Sequence, residues 1–231
     1  MDQLRDFVVE NMRGLPSIGF ENIRDDSTET GAEKDKKSEF KARSYQLELF
    51  EYAKKNNSIL VLGTGSGKTF ISILLIKEFA HQIRGSLSLD AKRTVFVVNT
   101  VHLVYQQAEA IEKHTALSVG KYEGSMNVDF WSDEQWQQEI EKNEVLVITS
   151  EILKNLILHN HLPLSMINLL ILDECHHATG EHPMRKVMHE YERLKSANKA
   201  APLPRILGLT ACVIHKKVKP HQVENSMRQL E

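Results

Sequence analysis

From residue 41 onward the chain alternates short, unbroken apolar runs with longer amphipathic stretches. SILVL (58–62), TVFVV (94–98), VLVIT (145–149), NLLILD (168–173) and RILGL (205–209) read as buried strands. Unbroken apolar runs suit a parallel sheet covered on both faces, because neither side of the strand meets water. LSVGKY (117–122) is a further strand candidate. Helical periodicity is expected over 43–55, with Leu47, Phe50 and Ala53 on one face, and over 68–83, 101–113, 132–142, 150–159 and 183–195. Strands alternating with helices predict a doubly wound α/β sheet with helices on both faces. In such sheets ligands sit at the carboxyl ends of the strands.

The N-terminal stretch differs. Residues 4–20 carry a short helical pattern, whereas 21–39 (ENIRDDSTETGAEKDKKSE) have almost no large apolar side chain after Ile23. Such a segment cannot offset its ordering entropy by burial. Residues 1–40 are therefore expected to be a disordered or weakly helical tail, and 41–231 the folded lobe.

Composition narrows the possibilities. The 231 residues are 41% hydrophobic and 26% charged, with a formal net charge of −2, so any nucleic-acid contact must come from a local patch. No apolar run reaches the length of a membrane span, and no secretory signal opens the chain. A cytoplasmic protein with no membrane partner is expected. Cys175 and Cys212 cannot form a disulfide scaffold.

Two motifs carry chemistry. The first confident strand leads into Gly63-Thr64-Gly65-Ser66-Gly67-Lys68-Thr69, with a helix expected from Lys68. Glycines let backbone N–H groups converge on phosphate oxygens, and the helix N-terminus adds partial positive charge. Lys68 can reach the β- and γ-phosphates of ATP, and Thr69 can ligate Mg²⁺. Leu62 stands where the general pattern has its first glycine. The alternative is a plain Gly-rich turn with a surface lysine. The strand NLLILD ends in Asp173-Glu174-Cys175-His176. A carboxylate at that tip suits Mg²⁺, so Asp173 is the metal candidate beside Thr69. Glu174 can act as general base on water, and His176 can hydrogen-bond a neighbouring motif. The spacing of Cys175, His176, His177, His182 and His189 fits no usual zinc pattern.

Together GTGSGKT, DECH and the later LTAC resemble superfamily 2 RNA helicases, and the DECH form resembles Dicers, the insect antiviral Dicers especially. The resemblance runs over about 41–215 and is carried by TGSGKTFI (64–71), KRTVFVVNT (92–100), Gln106-Gln107, the 131–140 stretch, EVLVIT (144–149), NLLILDECHHATGEHP (168–183) and PRILGLTA (204–211). It implies a RecA-like P-loop lobe that binds ATP and Mg²⁺, with Lys68, Asp173, Glu174 and His176 catalytic. It implies adenine recognition by Gln46 with Arg43 stacked on the base, and phosphate contacts by 63–69. It also implies RNA contacts by Thr100, Gln106, Gln107, Thr149 and Ser150, although N-capping alone would equally place the last two. Thr210, Ala211 and Cys212 resemble the motif coupling ATP to RNA. Cys212 stands where the family has a hydroxyl, and a thiol is a weaker donor.

The implied partners are double-stranded RNA, a second helicase lobe, the remaining domains of a parent chain, and double-stranded RNA-binding proteins. No second strand–helix series follows LTAC, so a fragment of a Dicer-like protein is expected. The rival expectation is a truncated nucleotide- and RNA-binding regulatory module with little ATPase activity. A metabolic P-loop enzyme explains neither DECH nor the RNA-motif text.

Overall fold

A computed structural model describes residues 42–197 and 202–211. The expectations for the N-terminal tail and for Cys212 lie outside them. The elements run α1 Ser44–Lys55, β1 Ser58–Val61, α2 Lys68–Glu78, β2 Arg93–Val98, α3 Val101–His114, β3 Val119–Tyr122, α4 Asp133–Lys142, β4 Val145–Thr149, α5 Ser150–Leu158, β5 Ile167–Leu172, α6 Pro183–Ala197 and β6 Arg205–Thr210. The six strands form one sheet in the order β1-β6-β5-β2-β4-β3, and every neighbouring pair is parallel. This is a RecA-like α/β fold.

The strand pleat explains why the apolar runs are unbroken. On β2, Val95 and Val97 point to one face while Phe96 and Val98 point to the other. The first face packs on α4, α5 and α6 through Trp136, Ile140, Leu153, Met184 and Val187. The second packs on α1, α2 and α3 through Ala53, Ile71, Leu75, Val104 and Ile111. All six residues of β2 and of β5 are buried. Each large apolar side chain so buried contributes roughly 1.5–3 kcal/mol.

Three expectations shift. Leu47 is 47% exposed, and α1 faces the core with Gln46 and Ala53, with Leu49 and Phe50 packed beside them. The helix is rotated because Gln46 is drawn inward by polar partners described below. The expected helix 68–83 ends as α-helix at Glu78 and continues as a 3₁₀ turn, Phe79–Gln82. The first strand stops at Val61, although Leu62 stays buried and donates its N–H to the Thr210 carbonyl at 2.9 Å.

The β3 edge closes on an aromatic cluster. Tyr122 lies against Trp131 and Trp136 at centroid distances of 6.0 and 5.5 Å. Its hydroxyl donates to Glu139 Oε2 at 2.8 Å and accepts from Asn143 Nδ2 at 2.9 Å. Burial, then Glu139, pushes that hydroxyl's pKa far above its usual value. A Cβ at Gly120 would meet the Tyr122 ring and hydroxyl at 2.5–2.8 Å. Gly120→Ala is therefore expected to destabilise the fold by about 1–3 kcal/mol, as overpacking does. Urea unfolding of the variant beside the unaltered chain measures it.

Candidate functional site

Parallel pairing puts the carboxyl ends of all six strands at one edge of the sheet, and the strand order sets which motifs become neighbours. The 63–69 loop follows β1. Thr210 ends β6 beside it, Asp173–His176 follow β5, Asn99–Thr100 follow β2, and Thr149–Ser150 close β4.

The loop turns through left-handed glycines, Gly65 at φ 78° and Gly67 at φ 90°, the latter capping α2. A Cβ on residue 67 would overlap the Gln46 carboxamide, so glycine is required there for space as well as for backbone conformation. Gln46 Nε2 donates to the Ser66 carbonyl at 3.0 Å, and Gln46 Oε1 accepts the Arg43 N–H at 2.9 Å. Tyr45 Oη donates to the same Ser66 carbonyl at 2.7 Å. Gln46 is thus buried and tied to the loop, while Arg43 is exposed. Lys68 Nζ donates to the carbonyls of Leu62 at 2.8 Å and Gly63 at 3.3 Å. Those carbonyls hold the ammonium inside the loop's concavity. Thr69 is half-buried one residue into α2.

Asp173 is 8% exposed, and its N–H donates to the Val97 carbonyl at 2.9 Å. Burial raises its carboxyl pKa most, while the Glu174 backbone N–H, at 3.0 Å, and the Lys68 cation pull it down. Glu174 sits in the left-handed region at φ 47°, ψ 46°. For a non-glycine residue that conformation costs roughly 1–3 kcal/mol and is found at sites the surroundings over-determine. It turns the chain sharply off β5, and the Glu174 carboxylate meets His176 Nδ1 at 3.1 Å. The same Nδ1 lies 2.8 Å from the Thr210 hydroxyl, joining the β5 and β6 ends. Cys175 points into the core, and burial pushes its thiol up to about 12. Among the described residues no group of three or more side chains is arranged to hold a metal by themselves.

The expected RNA contacts separate. Thr100 and Gln106 are exposed and Thr149 is half-buried. Ser150 is 8% exposed at the start of α5. Gln107 faces the core at 6% exposure, with Oε1 lacking a hydrogen-bond partner. Successive residues of a helix lie about 100° apart, so Gln106 and Gln107 cannot share one outward face. Ala211 is exposed. Tyr45 and Asn99 also belong to this edge. Their types are unremarkable in sequence, and only the loop contact and the burial single them out.

A six-stranded parallel sheet with a glycine loop ahead of α2 and an acidic turn after β5 is a RecA-like α/β arrangement. Residues 34–215 match the family described as type III restriction enzyme, res subunit (ResIII), and the chain belongs to that family. It is similar to the Endoribonuclease Dicer-L of Xenopus laevis, 46% identical over 189 residues, which cover 82% of this chain. The dcr-1 endoribonuclease of Caenorhabditis elegans is 46% identical over 194 residues, and Dicer homolog 2 of Arabidopsis thaliana 47% over 176. The chain spans about 10% of the length of the first two and 12% of the third. The crystal structure of the Pyrococcus furiosus Hef helicase domain shares the fold, with a TM-score of 0.61, 24% identity, and coverage of 82% of this chain and 36% of that one. Among the described residues no helix is long and apolar enough to cross a membrane.

Proposed function

We propose that this chain is the ATP-binding lobe of an ATP-dependent RNA helicase or translocase module, within a Dicer-like endoribonuclease that processes double-stranded RNA in RNA silencing. The observation that carries it is the single sheet edge where the Lys68 loop, the Asp173–Glu174 turn and Thr210 meet, linked through His176. Similarity to Dicers supports the choice of parent. Cytoplasmic residence and kinship with the insect antiviral branch go with the same proposal.

The residues fit Mg²⁺–ATP. The loop's backbone N–H groups and Lys68 would take the phosphates once Lys68 exchanges its loop carbonyls for them. Gln46, already between α1 and the loop, would report adenine occupancy to that loop, with Arg43 free to stack. Asp173 is a buried carboxylate whose charge a cation would stabilise, and Thr69, in the first turn of α2, would offer a hydroxyl to the same ion. Mg²⁺, when bound, neutralises charge on the phosphate oxygens. Glu174 would accept a proton from the attacking water as its oxygen bonds the γ-phosphorus; the bond to the bridging oxygen breaks, and ADP leaves with that electron pair. His176 and Thr210 would hold Glu174 in place and couple it to β6. Thr100, Gln106 and Thr149 would face the RNA backbone.

The 231 residues by themselves are expected to bind Mg²⁺–ATP weakly and to show almost no RNA-stimulated hydrolysis. An arginine finger is worth ~10³–10⁵ in rate, and the proposal assigns it to a second lobe of the parent. A net charge of −2 gives no long-range attraction for RNA, so remaining RNA binding should be weak and fall with salt. Steady-state ATPase on the chain, with and without double-stranded RNA, beside the full-length parent, is the test. Equal RNA response in both overturns the two-lobe assignment. A chain that binds ATP and RNA without hydrolysis, beside a parent that hydrolyses no faster, supports the rival reading as a nucleotide- and RNA-binding regulatory module.

A further inference from the structure

Among the described residues of this edge, Asn99 stands out for a buried side-chain amide. Both Nδ2 and Oδ1 are closed off from solvent, and neither has a hydrogen-bond partner. Buried amides are almost always paired, and an unpaired donor or acceptor costs stability. Its position is set by the ladder. Val97 pairs with Leu172 of β5, and the Val97 carbonyl accepts the Asp173 N–H, so continuing the register two residues brings Asn99 level with Glu174. On its other side Val98 pairs with Thr149 of β4. Level with it in the ladder is the Asp173–Glu174 turn, whose carboxylate oxygens each have room for more than one donor. Asp173 is buried with Oδ1 accepting the Glu174 N–H at 3.0 Å, and Glu174 stands in the left-handed region with its carboxylate 3.1 Å from His176 Nδ1.

We propose that Asn99 is a positioning residue for the nucleotide site. Its carboxamide takes up a hydrogen bond to a carboxylate of the Asp173–Glu174 turn when that turn re-forms around bound Mg²⁺–nucleotide. This rests on the nucleotide reading above and adds a residue to it. The unpaired amide raises the energy of the ligand-free state, and the new bond returns that energy on binding. Removing the amide therefore has opposite signs in the two states. A side chain with a purely structural role would move both in the same direction.

The experiment compares the 231-residue chain with Asn99→Leu, which keeps the bulk and drops the polar atoms. Thermal unfolding without ligand is expected to shift upward by about 2–6 °C, given the size of a lost desolvation penalty and of this domain. The dissociation constant for Mg²⁺ with a non-hydrolysable ATP analogue is expected to rise about 3–10-fold, as for one hydrogen bond made only on binding. In the unaltered ¹⁵N-labelled chain, the Asn99 side-chain NH₂ signals should move downfield on adding the analogue, a readout that does not depend on how the variant folds. A lowered midpoint, an unchanged affinity or unmoved Asn99 signals each overturn the proposal. If the unaltered chain binds no analogue at all, the nucleotide reading falls first and this inference with it.

Discussion

Glu174→Gln is expected to leave Mg²⁺–ATP binding within about twofold while cutting hydrolysis by roughly 10²–10⁴, the usual contribution of a positioned general base. Glutamine keeps the shape and can still meet His176 Nδ1, now 3.1 Å from the carboxylate, but it cannot take a proton from water. Lys68→Ala should act on the other step. It removes a charge-assisted donor to the phosphates, so affinity should drop by about 10–100-fold. The pair is measured in the full-length parent by equilibrium nucleotide binding and RNA-stimulated turnover, which separate ground-state binding from the chemical step. An Glu174→Gln protein that hydrolyses at the parent rate removes Glu174 from the role of base. The His176–Thr210 contact suggests why the effect should be clean, because the surrounding hydrogen bonds hold the turn without needing the charge.

The second large effect lies far from the proposed chemistry. Arg93 opens β2 and is fully buried, at 0% exposure. Its guanidinium donates to the carbonyls of Ile140 at 2.6 Å, Lys92 at 2.8 Å, Glu141 at 3.1 Å and Ile83 at 3.3 Å. Ile140 and Glu141 lie in the last turn of α4, where carbonyls lack helical partners and the helix dipole is negative. Glu141 adds an ion pair at 3.5 Å. Burial lowers the arginine's pKa, and Glu141 and then Glu144 oppose that shift. Arg93→Ala is expected to cost about 3–5 kcal/mol, because it strands several buried carbonyls and empties the space between the 3₁₀ turn and α4. Arg93→Lys should recover only part of this, since one ammonium cannot serve a fork of acceptors. Denaturant unfolding of both variants decides it, and a midpoint within error of the unaltered chain would show that the clasp does not hold these elements.

The sequence by itself determined the alternation of strands and helices and the two strand-end turns to which the proposal assigns chemistry. Strands buried on both faces leave an unbroken apolar trace, and a glycine loop followed by Gly-Lys-Thr, or two carboxylates after an apolar run, is local text. Position along the chain therefore told which strand ends bear polar groups. It did not tell which strand ends meet. The order β1-β6-β5-β2-β4-β3 brings Thr210 to His176 across 34 residues of chain, and Asn99 level with Glu174, through pairings that no local pattern encodes. Orientation was decided in the same way. Leu47 looked inward by periodicity, but the Gln46 bond to the Ser66 carbonyl and the packing of Ala53 turn α1 the other way. The resemblance groups Gln107 with Gln106 as RNA contacts, but helical geometry sends them to opposite environments. Arg93 drew no reading of its own from the sequence, and arginine is rarely buried. Only the tertiary structure supplies the ring of free carbonyls that makes its burial favourable. Local chemistry is written in neighbouring residues, whereas the partners that satisfy a buried polar group come from segments far apart in the chain.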